Sequence, residues 1–160
     1  YGSVFAKVFG LQTISLRYFN VFGPHQDPAS QYAAAIPAFV TAILCDTPPT
    51  VYGDGEQSRD FTYIDNVVQA NLLAARAKET HGEVVNIACG EAITVNAIIA
   101  RINELLGKNV KPIYAPPRPG DVKHSLADIT AARGLIGYEP VTDFSDGLER
   151  SIDWYRQNLA

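Results

Sequence analysis

The sequence predicts one mixed α/β domain of 160 residues. Three observations predict it. β-rich runs such as 13–18 and 83–88 alternate with stretches whose apolar residues recur at helical spacing. Glycine, proline, asparagine or aspartate punctuates the junctions between them. Hydrophobic residues make up 47% of the chain, enough for one packed domain. No repeat or low-complexity segment interrupts this order, and alternating strands and helices define the α/β class.

Residues 1–9 read as the end of a helix, with Tyr1, Val4, Phe5, Val8 and Phe9 at helical spacing and Gly10 at the C-terminal cap. The chain opens in the middle of this pattern and holds no methionine, so the expectation is a piece of something larger. Residues 13–18 alternate as a strand. A long loop follows over 20–31, with Gly23, Pro24, Pro28 and Ser30; loops of that length are often functional. Residues 33–45 return to a helix with Ile36, Phe39, Val40, Ile43 and Leu44 on a wide apolar face.

Pro48-Pro49 breaks the chain before a short strand at 50–52 and the turn Gly53-Asp54-Gly55. Residues 61–64 are extended. Asp65 is the expected N-cap of a helix over 66–78 carrying Val67, Val68, Leu72 and Ala75. A buried strand at 83–88 ends at Gly90. Thr94 caps the next helix, with Ile93 and Ile98 as a hydrophobic staple and Val95, Ile99, Ile102 and Leu106 along its face. Gly107 closes it. A strand over 111–114 leads into a proline-stiffened loop, 115–121. Asp128 caps a short helix ended by Gly137, and Asp143 caps the last, with Phe144, Leu148, Ile152 and Tyr155 on one side.

Net charge is −4, and the thirteen Lys and Arg residues are scattered, so no basic stripe points to nucleic acid. No apolar run has the length of a membrane helix and no signal-peptide pattern opens the chain. Cys45 and Cys89 lie in apolar surroundings and read as buried free thiols of a cytoplasmic protein. His25, His81 and His124 lack metal-ligand spacing, so no metal is expected. The glycine-rich dinucleotide fingerprint, the P-loop and the nucleophile elbow are all missing from the sequence.

What remains suits binding. Arg59 follows a tight turn, and Arg118 stands between Pro117 and Pro119. Guanidinium groups fork onto paired oxygens, so two arginines from distant segments could hold a diphosphate. Taken alone they read as unrelated surface arginines, Arg59 as the ion-pair partner of Asp60 or Glu56. Asn20 opens the long loop, where its amide could meet a ligand or simply form a turn. Tyr52 could stack on a flat base, although a strand aromatic is more often core. Asp121, after Pro-Gly, is most simply a turn residue.

Four stretches fit together. Leu16-Arg17-Tyr18-Phe19-Asn20-Val21-Phe22-Gly23-Pro24, Tyr52-Gly53-Asp54-Gly55, Arg59-Asp60-Phe61, and Arg118-Pro119-Gly120-Asp121 with Ala127-Asp128 resemble, in order and spacing, the nucleotide-sugar epimerases and dehydratases of the extended short-chain dehydrogenase family. The resemblance covers essentially the whole chain. Gln26-Asp27-Pro28 and the 118–128 stretch look most like the UDP-N-acetylglucosamine 4-epimerase branch, beside UDP-glucose 4-epimerase.

The resemblance implies the substrate-binding half of a Rossmann-like fold, the N-terminal dinucleotide-binding half being absent: a single partial domain over 1–160. It implies that Asn20, Arg59 and Arg118 contact a UDP-sugar diphosphate and that Ala34 offers backbone to the nucleotide. Thr50, Val51 and Tyr52 would border the uracil, and Asp121 would take ribose hydroxyls. Tyr18 and Phe19 would lie at the nicotinamide end of NAD. Ser125 matches the position that gates sugar size, and a small residue there leaves room for an N-acetyl group.

The family's catalytic Tyr-x-x-x-Lys pair is not in the sequence: Phe5, not lysine, stands four residues after Tyr1. The expected complete protein is an NAD-dependent UDP-hexose 4-epimerase, homodimeric, with this chain inactive alone and prone to self-association. A 4,6-dehydratase or UDP-glucuronate decarboxylase uses the same fold. A non-catalytic nucleotide-sugar-binding module is the alternative from another class.

Overall fold

The computed structural model describes residues 1–27 and 35–159. Its elements follow the predicted alternation. Helix α1 (Gly2–Phe9) ends at Gly10, whose φ of 67° is the left-handed cap that glycine adopts without strain. Strand β1 (Ile14–Tyr18) pairs in parallel with β6 (Glu83–Ile87), Ile14 opposite Glu83 and Tyr18 opposite Ile87. Between them lie β2 (Val21–Phe22), α2 (Ala35–Leu44), β3 (Thr50–Tyr52), β4 (Ser58–Arg59), β5 (Thr62–Tyr63) and α3 (Ile64–Arg76). After β6 come β7 (Ile93–Thr94), α4 (Val95–Leu106), β8 (Ile113–Ala115), α5 (Thr130–Ile136) and α6 (Phe144–Leu159). β2 pairs in parallel with β5, and β3 with β8; β4 and β7 pair antiparallel.

Two apolar clusters fill the interior. One gathers α2, α4 and α6 around Phe22, Phe61, Tyr63 and Phe144, with Val40, Ile43, Ile98, Ile102 and Leu148 sealed inside. The other lies between the β1–β6 pair, α3 and α5, and includes Val85, Ile87, Ala70, Ala132 and Tyr138. The faces predicted for 33–45 and 143–155 are the faces buried: Ile36, Phe39, Val40 and Ile43 in α2, and Phe144, Leu148, Ile152 and Tyr155 in α6. Thr94 caps α4 by accepting the Ala97 N–H at 3.2 Å. Asp143 accepts the Asp146 N–H at 2.9 Å.

Several expectations are corrected. The 20–31 loop contains β2, a strand of two residues that is too short to give a periodic signal and exists through its pairing with β5; residues 28–31 lie outside the described residues. β4 and β7 were missed for the same reason. Asp65 is not an N-cap: α3 begins at Ile64 without a side-chain cap, and the Asp65 carboxylate faces Arg150 at 3.3 Å. α3 buries Asn66, Val67 and Ala70, whereas Val68 and Leu72 are 51% and 54% exposed and Ala75 is exposed too. β6 is buried on one face only, with Val84 55% exposed while Val85 and Ile87 are sealed. Cys45, the residue after α2, is exposed; Cys89 is half-buried.

Candidate functional site

Two pairings assemble the site. β8 runs beside β3, and the Gly53 N–H extends the ladder by donating to Ala115 O at 2.8 Å. That lays the loop after β8 against Tyr52. Along β4, the Ser58 N–H donates to Lys123 O at 2.8 Å and the Ser125 N–H to Ser58 O at 3.0 Å. The 121–125 segment is thereby zipped onto the strand that carries Arg59.

The result is a cleft of about 550 Å³ lined by Asn20, Thr50, Val51, Tyr52, Arg59, Arg118 and Asp121 among others. Phe39, Phe61 and Val95 supply apolar wall. A second cleft of about 480 Å³ shares Asn20, Arg59 and Asp121 and adds Tyr18, Phe19 and Ser125. Apolar wall with a few placed polar groups, here Asn20, Arg59, Arg118 and Asp121, is the make-up of a small-molecule site. Ala34 lies outside the described residues.

The polar groups are held in place. Arg59 is ion-paired with Asp121, which corrects the expected pairing with Asp60 or Glu56. It also donates to Ser58 O at 2.8 Å and Lys123 O at 3.3 Å. Glu56 instead accepts from the Asn96 amide at 2.7 Å. Asp121 both closes a turn, its N–H donating to Arg118 O at 3.2 Å, and anchors Arg59.

The Arg118 guanidinium lies 4.0 Å from the centre of the Tyr52 ring, a cation–π stack. Tyr52 is 39% exposed, so it is not the core aromatic that its strand setting favoured. Asn20 has a φ of 29° and donates through its amide to Asp60 O at 2.7 Å. Gln57, which sequence reasoning missed, lines the cleft and donates to Tyr52 O at 2.7 Å. No local pattern marks it.

Asp60, expected as an ion-pair partner of Arg59, has a different role. It is fully buried, and its carboxylate accepts the N–H groups of Cys89 at 3.0 Å, Gly90 at 2.9 Å and Ala127 at 3.3 Å. Burial raises its pKa, and those N–H groups oppose the rise.

Tyr18 and Phe19 stand at the carboxyl end of the parallel pair β1–β6, the edge where open α/β sheets bind ligands. Tyr18 is 44% exposed and donates to Asn71 Oδ1 at 3.0 Å. Phe19 N–H donates to Ile87 O at 3.1 Å. The glycine-rich turn that would cradle a dinucleotide's phosphates is not in the sequence. Among the described residues no group of His, Cys, Asp or Glu could hold a metal ion, and no helix is long and apolar enough to cross a membrane.

Residues 3–88 match the model of the NAD dependent epimerase/dehydratase family. The chain belongs to that family. It is 35% identical over 153 residues to the UDP-glucuronate 4-epimerase of Thermodesulfobacterium geofontis, a match spanning 95% of this chain and 46% of that protein. Among solved structures it is similar to the UDP-N-acetylglucosamine 4-epimerase of Methanobrevibacter ruminantium in complex with UDP-N-acetylmuramic acid, at 42% identity and a TM-score of 0.90 over 96% of this chain and 49% of that one. It is also similar to the UDP-glucuronic acid 4-epimerase of Bacillus cereus in complex with UDP-glucuronic acid and NAD, at 36% identity and a TM-score of 0.87 over 98% of this chain and 49% of that one. The chain spans about half the length of the curated relatives it matches.

Proposed function

We propose that this chain is the nucleotide-sugar-binding part of a UDP-hexose 4-epimerase, one partial domain over residues 1–160, whose sugars are N-acetylglucosamine and N-acetylgalactosamine. The meeting of Asn20, Tyr52, Arg59, Arg118 and Asp121 around one cleft carries the reading. Arg59 and Arg118 grip the diphosphate, with Asn20 beside them. The uracil lies along Thr50, Val51 and Tyr52, and Ala34, outside the described residues, is proposed to offer backbone to the nucleotide. Asp121 keeps one oxygen on Arg59 and presents the other to the ribose hydroxyls. Ser125, in the adjoining cleft, leaves space at C2 of the sugar for an acetamido group, where a bulky aromatic would clash.

Tyr18 and Phe19 border the nicotinamide end of NAD. When bound, that cofactor takes up and returns a hydride at C4 of the sugar. This chain's own residues hold the nucleotide while the sugar turns. The proton-accepting tyrosine and its lysine are supplied by sequence outside this chain, so the chain alone binds and does not turn over. The complete protein is proposed to act as a homodimer in the cytoplasm. The chain alone self-associates through exposed Val4, Val8 and Phe9 of α1 together with Val68 and Leu72 of α3.

Calorimetric titration with UDP-N-acetylglucosamine, UDP-glucose and dTDP-glucose tests the site. UDP-selective binding that is lost in Arg59→Ala supports it. No binding to any of the three would sink it. Measurable 4-epimerisation by the purified chain would refute inactivity, and a clean monomer in sedimentation at high concentration would refute self-association. Product analysis of the longer protein separates epimerase from dehydratase or decarboxylase.

A further inference from the structure

Asp60 is the only buried charged residue among the described residues, and the Arg59 guanidinium is bonded elsewhere, to Asp121, Ser58 O and Lys123 O. A carboxylate sealed from water needs compensation, and here backbone N–H groups supply it. Oδ1 takes the Cys89 N–H; Oδ2 takes those of Gly90 and Ala127. Two successive N–H groups can converge on one carboxylate because Gly90 adopts a φ of 74°. The third comes from the stretch two residues beyond Ser125.

The backbone of Asp60 adds a fourth tie, since its carbonyl oxygen accepts the Asn20 amide at 2.7 Å. One residue therefore joins the carboxyl end of β6, the segment carrying Ser125, the residue that opens the loop after β1, and Arg59 as its chain neighbour. Those segments are distant in sequence and meet at the two clefts.

We propose that Asp60 is the positioning residue of the site, its buried carboxylate and carbonyl oxygen setting where Asn20, Arg59 and Ser125 stand relative to one another. A purely structural anchor would lower stability and leave the cleft's geometry alone when the chain is folded. A positioning residue moves the cleft groups even in the folded chain. The ligand arm of the test rests on the nucleotide-sugar reading above; the ligand-free arm does not.

Asp60→Asn keeps size and shape but turns an NH2 toward donors that need an acceptor. Ile102→Val, in α4, is the control that lowers stability away from the cleft. In the folded ligand-free chain, nuclear magnetic resonance follows the Asn20 side-chain amide and the exchange of the Ser125 and Ala127 N–H groups. The expected result is shifted Asn20 signals and faster exchange in Asp60→Asn, with neither in Ile102→Val. Calorimetry with UDP-N-acetylglucosamine is expected to give binding weakened about tenfold or more in Asp60→Asn alone.

A folded Asp60→Asn with unmoved Asn20 and Ser125 signals overturns the proposal, whatever the ligand does. If the unsubstituted chain does not bind, the nucleotide-sugar reading fails and the ligand-free signals still decide the role of Asp60. If Asp60→Asn does not fold, Gly90→Ala is the second variant: its Cβ has space, with Ile129 at 3.8 Å, but a φ of 74° strains alanine and re-aims the Cys89 and Gly90 N–H groups. Unmoved cleft signals there overturn the proposal equally.

Discussion

Asn66 sits in the first turns of α3 and is fully buried. Its amide donates to Thr142 O at 2.7 Å and accepts from the N–H groups of Val141 and Thr142 at 2.8 and 3.0 Å. One side chain thus satisfies three backbone groups of the segment that leads into α6. Asn66→Ala removes these three backbone bonds, together with the amide's 3.6 Å contact to Cys89 Sγ. At roughly 0.5–1.5 kcal/mol for each, with water unable to replace those most buried, the loss is about 2–4 kcal/mol. For a chain of this size that lowers Tm by about 5–15 °C.

Asn66→Asp separates donor from acceptor. The acceptor contacts survive, but near neutrality a carboxylate would face the Thr142 carbonyl with no donor. Burial and that carbonyl favour the protonated form, against the opposing pull of the two N–H donors, so the native-state pKa of the introduced acid is expected above its unfolded value. Its penalty is full above the native-state pKa and eases as pH falls through it, because the protonated acid donates again. Urea unfolding of the three chains at neutral and mildly acidic pH measures both effects. An Asn66→Ala loss below about 0.5 kcal/mol, or a pH-independent Asn66→Asp, would refute the reasoning.

Gly147→Ala should destabilise by about 1–3 kcal/mol despite alanine's better helix propensity, because the new Cβ falls 2.7 Å from the buried Tyr63 ring; thermal unfolding reads the sign. Iodoacetamide at pH 8 should label exposed Cys45 and spare Cys89 until the chain is unfolded. Burial, aided by the charge of Asp60, pushes the Cys89 thiol up to about 11, which cuts its thiolate by about two orders of magnitude. The stability this thiol contributes is whole below the ordinary thiol pKa of about 8.5 and is lost as pH rises through about 11; equal labelling of both cysteines at pH 8 would contradict it. Arg118→Ala should weaken UDP-sugar binding about tenfold or more and free the Tyr52 ring, while Arg118→Lys restores charge without the planar stack and recovers only part of the affinity; calorimetry and tyrosine fluorescence check the pair.

The sequence by itself determined the order of the long elements and the faces of the helices that are buried by their own periodicity. α2 and α6 bury the predicted residues because an apolar stripe at 3.6-residue spacing has one way to leave water. Gly10 and Gly107 end their helices as read, since only the left-handed conformation closes the cap there cheaply. The resemblance of Leu16 to Pro24, Arg59-Asp60-Phe61 and Arg118 to Asp121 to the motifs of a known family pointed to the family whose model the chain matches.

Tertiary structure decided the rest. β2, β4 and β7 have two residues each and exist only through partners far along the chain. α3 exposes Val68 and Leu72 because packing chose Asn66, Val67 and Ala70, a choice that apolar periodicity alone did not make. Arg59 pairs with Asp121, 62 residues away, rather than with its neighbour, because Asp60 is turned inward onto three backbone N–H groups. A side chain's partner is set by what the folded backbone brings within hydrogen-bond reach, and local sequence carries no record of that distance.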